Sequence, residues 1–150
     1  MTVSFFGHSD FHFNDIYKSR VLEYLEKSLT GEKLEFFLGA YGGFDNFAFE
    51  CCKIYKEKHA NATITLVTPY LNAEYPKGVA KEEYDGILYP EIESKPKKFA
   101  IVYRNRYMVD NSDLIIAYVN RSFGGAFQAI SYAKKKGKKI FNLAEIETHF

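Results

Sequence analysis

The sequence predicts one α/β domain over residues 1–150: a three-layer, Rossmann-like open sheet, mostly parallel, with helices on both faces. Three observations predict it. Short apolar runs alternate along the chain with longer stripes of helical period. Leu114 to Val119 is a nearly unbroken apolar run of strand length, as in a strand covered on both faces. After it come a Gly124-Gly125 turn, a helical stripe of Ala126, Ala129, Ile130 and Ala133, a stop at Gly137 and a strand from Ile140 to Leu143, which together make one βαβ unit.

The remaining elements follow in order. Thr2 to Phe6 is a short apolar strand ending at Gly7-His8-Ser9-Asp10. A helix runs from about Asp15 to Leu29, with Leu22, Leu25 and Leu29 on one stripe and Thr30-Gly31 as its stop. Leu34 to Leu38 is the second strand, and Gly39 to Gly43 the next turn. Phe44, Phe47, Ala48, Cys51, Cys52 and Tyr55 then form the clearest helical stripe in the chain, starting at Phe44 or Asp45. Ile64 to Val67 is the third strand. Thr68 to Pro96, with four prolines and four tyrosines, reads as an irregular binding loop, with a short strand at Asp85 to Tyr89. Lys97 to Asn111 reads as a helix leading into the Asp113 strand.

Composition narrows the function classes. A net charge of +1 gives no global basic field, so nucleic acid is not the expected partner. Cys51 and Cys52 are adjacent and lie on the helical stripe, which predicts two buried thiols rather than a disulfide. Reduced thiols, the lack of a signal-peptide pattern and the lack of a transmembrane-length apolar run predict a cytoplasmic protein with no membrane partner. His12, His59 and His149 show no ligand spacing with one another or with the cysteines, so no metal site is expected. The lysines from Lys134 to Lys139 crowd a helix carboxyl end, where the dipole favours them.

In a parallel sheet of this kind the strand-end turns face a cleft. Gly124, Gly125 and Ala126 open a helix whose N–H groups can meet a phosphate; the plainer reading is a tight turn. Gly42, Gly43 and Asp45 form a second such turn, with Asp45 either capping its helix or bonding a ribose or base. Arg104 and Asn105 interrupt an apolar face with Ile101 and Met108. Arg104 either pairs with a buried aspartate, such as Asp113 or Asp45, or aims at a phosphate or carboxylate. Gly7 and His8 follow the first strand at the end that faces the cleft.

These residues together carry a resemblance. Phe5-Phe6-Gly7-His8, Gly39 with Gly42-Gly43-Phe44-Asp45, Tyr89-Pro90-Glu91, Phe99-Ala100-Ile101, Arg104-Asn105, Met108, Ser112-Asp113, Gly124-Gly125-Ala126 and Tyr132-Ala133 occur in one order along the whole chain. In this the chain resembles the SLOG superfamily, and most of all its small YpsA-like bacterial members of one domain. The resemblance implies a Rossmannoid that binds a small-molecule nucleotide, or an NAD- or ADP-ribose-type ligand, at the glycine turns, with no cofactor required. It also implies two alternatives: a nucleotide N-glycosidase like the LOG phosphoribohydrolases or deoxyribosyltransferases, and a single-stranded DNA binder. A homo-oligomer is compatible with all three. Two departures bear on these readings. Ser9 stands where related sequences commonly carry arginine, and Ala129 or Ser131 stands where the LOG hydrolases carry their catalytic glutamate. Asp10, Asp45 or Glu50 would have to supply a catalytic carboxylate.

Overall fold

A computed structural model describes residues 1–71 and 81–147. Six strands form one sheet: β1 (Thr2–Gly7), β2 (Glu35–Leu38), β3 (Thr63–Val67), β4 (Gly86–Leu88), β5 (Leu114–Tyr118) and β6 (Lys139–Asn142). Their order is β4-β3-β2-β1-β5-β6, and every pairing is parallel. The helices are α1 (Asp15–Ser28), α2 (Gly43–Lys58), α3 (Ala100–Asp110), α4 (Gly125–Lys135) and α5 (Leu143–Glu147). The chain runs outward from β1 to β4, then returns to the other side of β1 as β5. The strand order therefore reverses between β1 and β5, where such sheets open a crevice at their carboxyl ends.

Side-chain alternation in the strands sorts the core into two layers. Val3 and Phe5 face one way, with Phe36, Leu38, Ile64, Leu114 and Ile116, and pack on Val21 and Leu25 of α1 and on the Phe44 to Tyr55 stripe of α2. Phe6, Phe37, Val67, Ile115 and Ala117 face the other way, onto Met108 and Val109 of α3 and Ala129, Ile130 and Ala133 of α4. Both cysteines are fully buried on α2, as the stripe predicts. Burial pushes the Cys51 thiol up to about 12 and raises Cys52 as well.

The mostly parallel sheet expected is borne out, and among the described residues every strand pairing is parallel. Several other expectations shift. The helix expected from Lys97 starts as a 3-10 turn, Lys97–Phe99, behind Pro96, and becomes α-helical at Ala100. The last strand ends at Asn142, and Leu143 opens the short α5 instead of closing the strand; the Asn142 side chain accepts the Ala144 N–H there. Of the irregular Thr68 to Pro96 segment, residues 72–80, including Tyr75 and Pro76, lie outside the described residues, as does His149. Among the described residues, no helix is long and apolar enough to cross a membrane.

Candidate functional site

A cavity of ≈ 360 Å³ opens at the carboxyl ends of β1, β2 and β5. Its lining includes eight of the ten residues singled out in the sequence: Gly7, His8, Asp45, Arg104, Asn105, Gly124, Gly125 and Ala126. Gly42 and Gly43 do not line it. They are glycines for a packing reason. A Cβ on Gly42, whose φ is 109°, would stand 2.6 Å from the Ser9 Cα, and one on Gly43 would stand 2.0 Å from the Phe11 carbonyl oxygen. The Gly43 N–H also donates to the Ser9 carbonyl at 2.8 Å, tying the β1 loop to the start of α2. Gly7 lines the cavity, yet its missing Cβ is needed elsewhere: the Phe44 ring would lie 2.1 Å from it.

Arg104 is the centre of the site. It rises from α3 and is 4% exposed. Nη1 donates to the carbonyls of Val67 at 2.8 Å and Gly39 at 3.2 Å, and Nε to Asn105 Oδ1 at 2.8 Å. The guanidinium carbon lies 5.4 Å from the Tyr41 ring centre, a cation–π arrangement. A Cβ on Gly39 would approach Nη1 to 2.9 Å, so a side chain there would have to displace the guanidinium. Nη2 has no hydrogen-bond acceptor among the described residues. No polar side-chain atom sealed from solvent among those residues lacks a partner, so Nη2 keeps access to the cavity. Asp113 is not the arginine's counter-charge, because its carboxylate accepts the Thr2 N–H at 2.8 Å.

Asp45 is the acid that Arg104 feels most. It does not cap α2; the helix begins at Gly43, and Asp45 is its third residue. From there the carboxylate reaches back to accept the Tyr41 N–H at 2.6 Å. Burial raises its pKa from 3.8 to about 6, against the opposing pull of Arg104 and of that hydrogen bond. Gly39, Ala40 and Tyr41 thus hold both charges, the cation through the Gly39 carbonyl and the anion through the Tyr41 N–H. Ala40 adopts a left-handed φ of 60° to make this possible, a conformation disfavoured for any residue with a Cβ.

The other wall is built after β5. Gly124, φ 94°, is the N-cap of α4, and no side chain caps that helix end. A Cβ at Gly124 or Gly125 would meet no atom within 4 Å, so protein packing does not require glycine there. His8, buried at the end of β1, accepts the Asn120 N–H through Nε2 at 3.1 Å and joins the two strand ends at the switch point. That bond fixes the neutral ring with its proton on Nδ1. Burial and the nearby Arg121 charge lower the His8 pKa. Arg121 was not singled out in the sequence. It lines the cavity, is ion-paired with Asp10 and lies over the exposed Phe123 ring. Asp10 and Arg121 are 111 residues apart, so only the fold reveals their pairing.

No known family profile matches the chain. It is 28% identical over 137 residues to an uncharacterised SPbeta prophage-derived protein, YoqJ, of Bacillus subtilis, covering 79% of this chain and 80% of that one. Among solved structures it resembles DNA processing protein A of Streptococcus pneumoniae, at TM-score 0.67 and 18% identity, over 94% of this chain and 49% of that one. The Helicobacter pylori counterpart, described with a single-stranded DNA binding mode, has TM-score 0.67 and 22% identity over 95% of this chain and 64% of that one. The molybdenum cofactor carrier protein of Chlamydomonas reinhardtii has TM-score 0.56 and 16% identity over 99% of this chain and 81% of that one. The chain thus spans about half to two thirds of the DNA processing proteins and most of the carrier protein. At such identities the likeness is one of fold alone, a Rossmann-like parallel sheet.

Proposed function

We propose that the protein binds a nucleotide or nucleotide-derived ligand in the cleft between the Arg104 wall and the Gly124 turn. The ligand's phosphate sits at the amino end of α4, against the N–H groups of Gly125 and Ala126, with Arg104 as its charge partner. Asp45 faces a ribose hydroxyl or a base donor. One observation carries this reading: Arg104, 4% exposed, lines the cavity with an Nη2 that has no acceptor among the described residues. An anion entering the cavity can replace water at this donor with a charge-assisted hydrogen bond. The uncapped α4 terminus beside it adds N–H donors and a favourable dipole. A thermal-shift series with AMP, ADP-ribose and NAD tests it. A ligand at 100 times its Kd should stabilise the protein by about 2.7 kcal/mol. Arg104→Lys should weaken binding about tenfold, since a single ammonium cannot hold the Val67 and Gly39 carbonyls and Asn105 and also reach the anion. No shift with any of these nucleotides overturns the proposal.

A second reading, cleavage of an N-glycosidic bond, draws on Asp45. Of the three acids that could serve, Glu50 is outside the cavity and Asp10 is ion-paired, whereas Asp45 lines the cavity with its pKa raised to about 6. A carboxylate beside an anomeric carbon is what an oxocarbenium-like state requires. Release of adenine from AMP by wild type but not by Asp45→Asn would favour it over binding alone.

A further inference from the structure

The ion pair at the mouth of the cleft has a use beyond joining two loops. Asp10 follows β1 and Arg121 follows β5, and both line the same cavity as Arg104 and the Gly124 turn. Their side chains are 68% and 32% exposed respectively, so water screens the pair strongly and it contributes little to stability. Arg121 is nevertheless held in one place. Its guanidinium carbon lies 5.4 Å from the centre of the Phe123 ring, directly before the N-cap Gly124, and Asp10 takes up its Nη2. Arg104 holds carbonyls at the ends of β2 and β3, whereas Arg121 follows β5 and reaches Asp10 after β1, and both line the same cavity. The cleft is therefore lined by two guanidinium groups. One is committed to the protein by three hydrogen bonds, and the other is held by a single exposed carboxylate that an anion can replace.

We propose that Arg121 is a second anion-binding residue of the cleft and that Asp10 is its placeholder, displaced when a ligand with two phosphates enters. This rests on the nucleotide-binding reading above and extends it to a ligand class: the diphosphate group of an ADP-ribose-type molecule, with one phosphate toward Arg104 and α4 and the other toward Arg121. In the empty cleft Asp10 neutralises Arg121. In the filled cleft the phosphate takes the guanidinium and Asp10 returns to water, at small cost because it is already exposed.

The test is a double-mutant cycle at pH 7 with ADP-ribose and AMP as probes, read by calorimetric titration with melting curves beside each variant. Arg121→Ala should weaken ADP-ribose binding about tenfold and AMP binding much less. Asp10→Asn should do the opposite, strengthening ADP-ribose binding by about two- to fivefold, since the competing carboxylate is gone. The double variant should match Arg121→Ala, because Asp10 acts only through Arg121. Arg121→Lys should restore part of the affinity. All four should melt within about 2 °C of wild type, as expected for exposed positions. Weaker binding in Asp10→Asn would mean that Asp10 itself contacts the ligand and would overturn the placeholder role. Unchanged affinity in Arg121→Ala, with ADP-ribose still lost in Arg104→Ala, would overturn this inference and leave the nucleotide-binding reading standing. No binding of ADP-ribose by wild type would overturn this inference, and no response to AMP, ADP-ribose or NAD would overturn both.

Discussion

Replacing Asp45 by asparagine should make the protein more stable above pH 6. The carboxylate titrates near 3.8 when unfolded and at about 6 in the folded chain. Between those values the folded state binds more protons than the unfolded one, so stability falls as pH rises through this window and does not recover above it. At about 1.36 kcal/mol per pH unit the ionised group costs at most about 3 kcal/mol, less where cleft water reaches it. That figure already contains the attraction of Arg104, which acts in the opposite direction. Asparagine imitates the protonated acid, and its Oδ1 can keep the 2.6 Å bond from the Tyr41 N–H. Urea unfolding of both proteins at pH 4 and pH 8 gives the contrast. The two should agree within about 0.5 kcal/mol at pH 4, and the variant should lead by up to about 3 kcal/mol at pH 8. For a chain of this size that is roughly 6–12 °C in melting temperature. A variant less stable than wild type at pH 8 would refute the reasoning, since it would make Asp45 and Arg104 a stabilising ion pair.

Three further outcomes are expected. Gly125→Ala should leave stability unchanged or higher by about 0.4–1 kcal/mol, because its Cβ meets nothing within 4 Å, yet it should weaken binding of ADP-ribose; unaltered affinity would place the phosphate elsewhere. Gly7→Ala should destabilise by about 1–3 kcal/mol or more through the Phe44 ring 2.1 Å away, and a wild-type urea midpoint would contradict the packing assigned to it. Cys51 and Cys52, both buried with raised pKa values, should react with a thiol reagent only at the rate of global unfolding; rapid labelling at pH 8 would show that α2 opens locally.

The fold was legible because strands covered on both faces read as apolar runs and helices as stripes, both local patterns. Arg104 was legible for a related reason: a guanidinium within an apolar face demands a partner or a ligand. The roles of individual glycines were not legible in the same way. Gly7, Gly42, Gly43 and Gly124 look alike in sequence, but what a Cβ would strike depends on Phe44, Ser9 and Phe11, which arrive from distant elements. The geometry separates them into three glycines required by packing and one, Gly124, left open to the cleft with only its φ of 94° to satisfy. Arg121 escaped notice because it follows a strand in a polar loop, where arginine is unremarked, and its partner lies at the other end of the chain.

The three residues Gly39, Ala40 and Tyr41 act on the cleft as a small fixed solvent. Water around a separated cation and anion turns its dipoles to face each; here the Gly39 carbonyl and the Tyr41 N–H do this permanently, one for Arg104 and one for Asp45. Opposite charges solvated separately need not collapse onto each other. A direct salt bridge would leave little field for an incoming molecule, whereas two charges held apart by backbone dipoles present a standing polarity along the cleft floor. The left-handed Ala40 stores the work of orienting those dipoles in the folded chain. A ligand whose own charges run the opposite way therefore meets a surface already polarised to receive it, with little reorientation left to do on binding.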